Sequence, residues 1–220
     1  MTKDSLLKMM YENNLIEQIQ EESMKLQQLM SYYKCAIMEI ETKFKVLDEE
    51  YSLQHDRNPI NSIKGRLKKI PSIMEKLERK GYEVSVDSIE KNLDDIAGIR
   101  VVCSFEEDVY TLAEALLRQD DITLIEEKDY IKNPKPSGYR SLHLIVSVPI
   151  FLDDEKRIMK VEIQLRTIAM DCWASLEHQL RYKKNNKSTE EIEQELYDCA
   201  MLSIELDERM DKLRDTIIES

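Results

Sequence analysis

Two acids, Asp94 and Asp95, stand immediately before the apolar run IAGIRVVCSF (96–105), and a third, Glu162, sits in the middle of VEIQLR. Carboxylates placed at the start of one strand and midway along another can share one Mg²⁺ if the strands adjoin. Magnesium needs only one or two protein carboxylates and completes its shell with phosphate and water oxygens. Arg100 lies inside the first run and needs a paired acid or a ligand, because an unpaired charge is costly to bury. The stretch 64–80, KGRLKKIPSIMEKLERK, carries seven bases against two acids and is built to meet anions. Together these features outline a metal-nucleotide site.

The turn KPSGYRSLHL (135–144) holds more cationic and aromatic character than turn geometry requires. Lys135 and Arg140 can meet phosphates, and Tyr139 offers a flat face on which a base can stack, worth about 1–3 kcal/mol. Strand alternation places Glu162, Gln164 and Arg166 on one face, opposite Val161, Ile163 and Leu165. In SLHLIVSV it sets Ser141, His143 and Ile145 against the apolar series Leu142, Leu144, Val146 and Val148. A solvated sheet face would show the same alternation, so spacing alone leaves both readings open.

These residues need a scaffold, and 220 residues with 42% apolar content suffice for a core. The sequence predicts a mixed α/β (α+β) sheet flanked by long terminal helices. Leu26, Tyr33, Ile40 and Leu47, with Met30, Ile37, Phe44 and Tyr51, form a heptad seam that predicts a long first helix. Ile192, Cys199, Leu206 and Leu213, with Leu196, Ser203, Met210 and Ile217, repeat the device after the N-cap candidates Ser188 and Thr189. Such helices either pack on the domain or build an oligomer. Asn58-Pro59 breaks the first helix, and a short helix is expected next, restarted after Pro71 by a Ser72 to Glu75 capping box and ended by Gly81. Strands are expected at 96–105, 122–131 (edge-like), 141–150 and 158–167, the last two antiparallel, with helices at 108–119 and from Ile168 onward. The implied division is an N-terminal helical extension (1–57), a catalytic region (58–185) and a C-terminal helix (186–220).

The net charge of −12 argues against a broad nucleic-acid-coating surface, DNA included, and makes tight RNA binding unfavourable. Residues 189–220 concentrate eleven acids against three bases. No apolar run is long enough to span a membrane and MTKDSLLKMM does not read as a signal peptide, so the expected compartment is the cytoplasm. Cys35, Cys103, Cys172 and Cys199 form no C-x-x-C pair and are expected to be reduced and mostly buried.

In order and spacing, GRLKKIPSIMEKL, DDIAGIRVVCSF, KDYIKNPKPSGYRSLHL, VEIQLRT and AMDCWASLEH resemble the synthetase domain of RelA/SpoT-type alarmone enzymes over residues 55–183. The short single-domain form, the small alarmone synthetase, fits the length, and the wording looks closer to the RelP-like than to the RelQ-like branch. The resemblance implies a nucleotidyltransferase-related sheet and transfer of pyrophosphate from ATP to the 3′-hydroxyl of GDP or GTP. It also implies Mg²⁺ as cofactor, held by Asp95 and Glu162, with Glu162 as general base. Arg66 and Arg100 would sandwich adenine, and Lys68, Lys76 and Ser72 would complete the ATP side. Tyr139 would stack on guanine, joined by Lys135, His143, Gln164, Arg140 and Asp171. Asp171 is either an acceptor for the guanine edge or a helix N-terminal acid. A homotetramer is implied.

His55-Asp56 echoes the HD pair of alarmone hydrolases, but three histidines in all provide no second cluster, and no hydrolase is expected. Trp173 is expected in the core and His178 at the surface. The rival readings are a catalytically silent nucleotide- or RNA-binding module of the same fold and a structural oligomer.

Overall fold

The computed structural model describes residues 3–55, 57–183 and 190–218. The order is α1 (Lys3–His55), β1 (Ile60–Leu67), α2 (Ile70–Lys80), α3 (Val86–Asn92), β2 (Ala97–Cys103), α4 (Glu106–Leu117) and β3 (Thr123–Asp129). β4 (Leu142–Phe151), β5 (Lys156–Thr167), α5 (Ile168–Lys183) and α6 (Glu190–Ile218) complete it. The five strands form one mixed sheet, β1-β2-β5-β4-β3, in which only the β2/β5 pair is parallel. β3 is an edge, as its polar sequence predicts, and β4 and β5 form the expected antiparallel hairpin.

The first heptad seam faces the protein's own sheet. Tyr33, Ile37, Ile40 and Phe44 of α1 join Val109, Leu112 and Leu116 of α4 and the apolar side chains of β2, β4 and β5 in one core. Gly65 of β1 permits this contact, since a Cβ there would lie 2.6 Å from Ile37 Cγ2. The second seam behaves differently. On α6 the inward residues are Ala200 and Asp207, whereas Leu202, Leu206, Met210, Leu213 and Ile217 are exposed.

Three local expectations are corrected. Residues 60–67 form an antiparallel edge strand paired with β2 rather than a helix; β-branched Ile60 and Ile63 and the helix-weakening Gly65 all favour that outcome. α2 starts at Ile70 with Lys69 as an N-cap that makes no side-chain bond, and Pro71 in its first turn replaces the expected Ser72–Glu75 box. Its C-terminus is as expected: Gly81 (φ 72°) donates its N–H to Glu78 O at 2.9 Å, and Tyr82 N–H reaches Leu77 O at 3.0 Å. α3, absent from the sequence reading, is capped by Ser85, whose side chain accepts the Ser88 N–H at 3.2 Å.

All four cysteines are free; Cys103 is buried and Cys35 half-buried, but Cys172 and Cys199 are exposed, against expectation. Trp173 is buried and His178 exposed. Ser188, Thr189, Asp56 and the side chain of His55 lie outside the described residues. Among the described residues no helix is long and apolar enough to cross a membrane.

Candidate active site

Strand register assembles the polar face. Arg66 of β1 lies opposite Gly98 of β2, which pairs with Glu162 of β5, which pairs with Ile145 of β4. One step along, Lys64, Arg100, Gln164, His143 and Lys128 form a second row across all five strands. Alternation thus gathers on one side of the sheet residues that are up to a hundred positions apart in sequence.

A cleft of about 560 Å³ opens over these rows, lined by Lys64, Arg66, Lys68, Asp95, Gly98, Arg100, Glu162 and Gln164. Beside it a smaller cavity of about 220 Å³ is lined by Glu126, Lys128, Tyr130, Lys135, His143 and Glu162. Glu162 belongs to both.

Asp95 Oδ2 accepts Lys68 Nζ and Lys76 Nζ, each at 2.6 Å. Burial pushes the Asp95 carboxyl up, but these two ammonium groups outweigh it and hold the group below the ordinary aspartate value. Its other oxygen, Oδ1, is buried without a hydrogen-bond partner. A buried, unpaired oxygen on a carboxylate that lines a cleft shared with a second carboxylate suits a hard divalent cation such as Mg²⁺. Among the described residues no cluster of three or more His, Cys, Asp or Glu forms an all-protein metal cage. Two carboxylates are nevertheless sufficient where phosphates supply the remaining oxygens.

Glu162 is held from both sides. Gln164 Nε2 donates to its Oε2 at 3.3 Å, and His143 Nδ1 lies 3.5 Å from Oε1. Burial raises the Glu162 carboxyl, yet His143 and Gln164 overcome this and leave it below the usual glutamate value. The opposite ring nitrogen of His143 bonds to the Tyr139 hydroxyl at 2.8 Å. Lys135 Nζ sits 4.5 Å from the Tyr130 ring centroid and 5.0 Å from that of Tyr139, so the turn's cation and aromatics form one cluster. Gly138 (φ 84°) closes the turn, with its N–H on Lys135 O at 2.8 Å.

The structure brings Asp95, Glu162, Arg66, Arg100, Lys68, Gln164, Lys135 and His143 into the two adjoining cavities, with Lys76 and Tyr139 bonded to their walls. The acid that Arg100 requires is Asp171, whose Oδ1 lies 3.1 Å from Arg100 Nη1. Ser72 sits in the first turn of α2, one turn before Lys76, and lines neither cavity. Arg140 also lies outside both cavities. It is buried on the other side of the chain, bonded to Glu106 of α4 at 2.5 Å and to Asp207 of α6 at 3.4 Å, and is a structural cation rather than a phosphate contact. The sequence reading also passed over Lys64, Tyr130 and Lys128, and it gave Arg166 no role although alternation put that residue on the correct face. Lys64 was within reach, as part of the basic stretch. Tyr130 becomes visible only once the 130s fold back beside Tyr139.

Residues 65–187 match the family described as a region found in RelA/SpoT proteins. The chain belongs to the RelA/SpoT family. Among its relatives, GTP pyrophosphokinase YwaC of Bacillus subtilis is 45% identical over 178 residues, 81% of this chain and 85% of that protein. Small alarmone synthetase 2 of Bacillus subtilis superposes with a TM-score of 0.79 at 40% identity, covering 86% of this chain and 98% of the other. Small alarmone synthetase 1 of Bacillus subtilis, bound to its product pppGpp, gives a TM-score of 0.79 at 35% identity over 87% and 97%. The mixed sheet with flanking helices is therefore the RelA/SpoT synthetase fold, and the family region contains every residue of the larger cleft except Lys64.

Proposed function

We propose that this chain is a (p)ppGpp synthetase, moving the pyrophosphoryl group of ATP to the 3′-hydroxyl of GDP or GTP and releasing AMP. The observation that carries this reading is Glu162, one carboxylate lining two adjoining cavities of about 560 and 220 Å³. A transfer between two nucleotides needs an acceptor of the hydroxyl proton where they meet.

On the donor side Arg66 and Arg100 offer planar guanidinium faces for adenine, and Lys68 and Lys76 stand ready for the phosphates. On the acceptor side Tyr139 stacks on guanine, Lys135 and His143 meet its phosphates, Gln164 orients Glu162, and Asp171 faces the guanine edge. Glu162 takes the proton as the O3′–Pβ bond forms and the bond between Pβ and the α,β-bridging oxygen breaks, with the electron pair leaving on that oxygen of AMP. Asp95 and Glu162 would hold Mg²⁺, which supplies charge neutralisation on the triphosphate oxygens. Positioning and electrostatics suffice for such a transfer, and no nucleophilic side chain is required.

The exposed apolar residues of α6 support a homotetramer in which that helix contributes to the subunit contacts. The nucleotide substrates fit a cytoplasmic enzyme. The deciding experiment incubates the protein with labelled ATP, GDP and Mg²⁺. One more highly phosphorylated guanosine product should form for each AMP released. ATP consumption that is independent of GDP, or no product at all, sinks the reading.

A further inference from the structure

Arg166 is a cation with only 4% exposure, and the chemistry above gives it nothing to bind. Its guanidinium is divided among four groups. Nε donates to Ser141 Oγ at 3.3 Å, Nη1 to Asp171 Oδ1 at 3.3 Å, and Nη2 to both Gln164 Oε1 at 2.9 Å and the Tyr139 hydroxyl at 2.5 Å. Ser141 is fixed in turn by donating to the Leu165 carbonyl at 3.1 Å. A buried ion pair adds little stability over an apolar core of equal volume, so this network is better explained by the geometry it imposes.

That geometry spans both cavities. Asp171 Oδ1, which receives Arg166, also receives Arg100 Nη1 at 3.1 Å. Arg100 and Gln164 line the larger, donor cleft, while Tyr139 bonds to His143, which lines the smaller, acceptor cavity. Arg100 is the less anchored of the two cations, for its Nε is buried without a partner. Stacking of a base on Arg100 would compete with its pairing to Asp171, in which case Arg166 would hold the carboxylate alone and leave lone pairs free for donors on the acceptor base.

We propose that Arg166 is a positioning residue that holds Tyr139 and Asp171 as one frame for the acceptor nucleotide and couples that frame to the donor cleft through Gln164 and Asp171. The inference rests on the two-cavity reading above. It requires that donor binding tighten acceptor binding, and by linkage that the acceptor tighten the donor by the same factor.

Calorimetric titration of GDP into the full chain, with and without a non-hydrolysable ATP analogue and Mg²⁺, tests it. In the wild type the analogue should tighten GDP by about fivefold or more. In Arg166→Met, GDP binding alone should weaken by about tenfold, as expected for lost charged hydrogen bonds, with analogue binding alone kept. The tightening should vanish, and KM for GDP should rise while KM for ATP holds. The proposal is overturned by absence of coupling in the wild type, by coupling unchanged in a folded variant, or by equal loss of both affinities. If Arg166→Met does not fold, Arg166→Lys carries the same measurement, since it keeps the charge but cannot serve four partners. Tyr139→Ala separates the two levels of argument. Undiminished GDP binding in that variant refutes the acceptor-site assignment itself, whereas a normal Tyr139→Ala defect beside an unaffected Arg166 variant refutes only the coupling.

Discussion

Gly138 abuts Ala200: a Cβ built on Gly138 would lie 2.4 Å from the Cβ of Ala200. The turn at 135–139, proposed to serve the acceptor, is therefore seated on the C-terminal helix α6, beside a small cluster in which Trp173 and Ala174 of α5 meet Ala200, and Trp173 Nε1 donates to Leu196 O at 2.9 Å. Substituting Gly138→Ala meets two obstacles, a positive φ of 84° and the missing space. The expected cost is about 2 kcal/mol or more of stability. KM for GDP should rise more than KM for ATP, because the turn carries Lys135 and Tyr139. Adding Ala200→Gly should restore part of the loss, since it removes the collision but not the backbone strain. Thermal melts and steady-state kinetics of the two variants check this, and full rescue would mean that φ plays no part.

Glu162→Gln should lower kcat by about a hundredfold or more, because in the proposed transfer it would remove a proton acceptor and a metal-binding carboxylate at once. The amide keeps the shape and the contact with Gln164, so stability and GDP affinity should change little. Single-turnover rates, measured with both nucleotides at saturation, provide the check. Near-normal turnover would require a different base.

How much of this was open to sequence reasoning depends on whether a feature is local. Alternation in VEIQLR and SLHLIV correctly put Glu162, Gln164, Arg166 and His143 on one face, since a strand's period is fixed by its backbone. The same rule, carried back through GYRSLH, sets Tyr139 and Ser141 with His143 and turns Arg140 the opposite way. Grouping Arg140 with the turn's phosphate contacts ignored that parity. β1 was missed for another reason: INSIKGRL has no clean alternation, and its strand form comes from pairing with β2, which no local window contains. The heptads of α6 were legible as apolar, but the face turned inward is set by Ala200 and Asp207, small and polar residues that a hydrophobic pattern does not mark.

Gly65 and Ile37 form a second close contact, on the opposite face of the sheet, with 2.6 Å between a Cβ at position 65 and Ile37 Cγ2. Gly65→Ala should cost about 1–3 kcal/mol by overpacking against α1. Ile37→Ala alone should also destabilise, by opening a cavity of several methyl groups. Combined, the two changes should cost less than their sum, a coupling that a double-mutant cycle in denaturant measures directly. Simple additivity would show that α1 moves away from the sheet to absorb the new methyl group.

Asp207 makes stability depend on pH. Burial pushes its carboxyl up to about 6, because Thr167 Oγ1 at 2.9 Å and Arg140 at 3.4 Å only partly compensate, while Glu106 and Asp211 add like charge. Arg140 lies closer to Glu106, at 2.5 Å, which weakens its hold on Asp207. A folded-state pKa above the unfolded value of 3.8 means that the native protein binds the proton more tightly. This contribution is therefore fully present below about pH 4 and is lost as pH rises through about 6, a change on the order of 3 kcal/mol. Asp207→Asn cannot ionise and should lack it, so the wild type minus variant stability difference should fall across that window and level off above it. Carboxylates held below their ordinary values, such as Asp129, act in the opposite direction in both proteins and cancel in the difference. Urea melts of both proteins at half-unit steps from pH 4 to 7.5 test this. A difference that stays flat, or rises with pH, would mean that Asp207 is ionised throughout and that Arg140 holds it more firmly than the 3.4 Å separation implies.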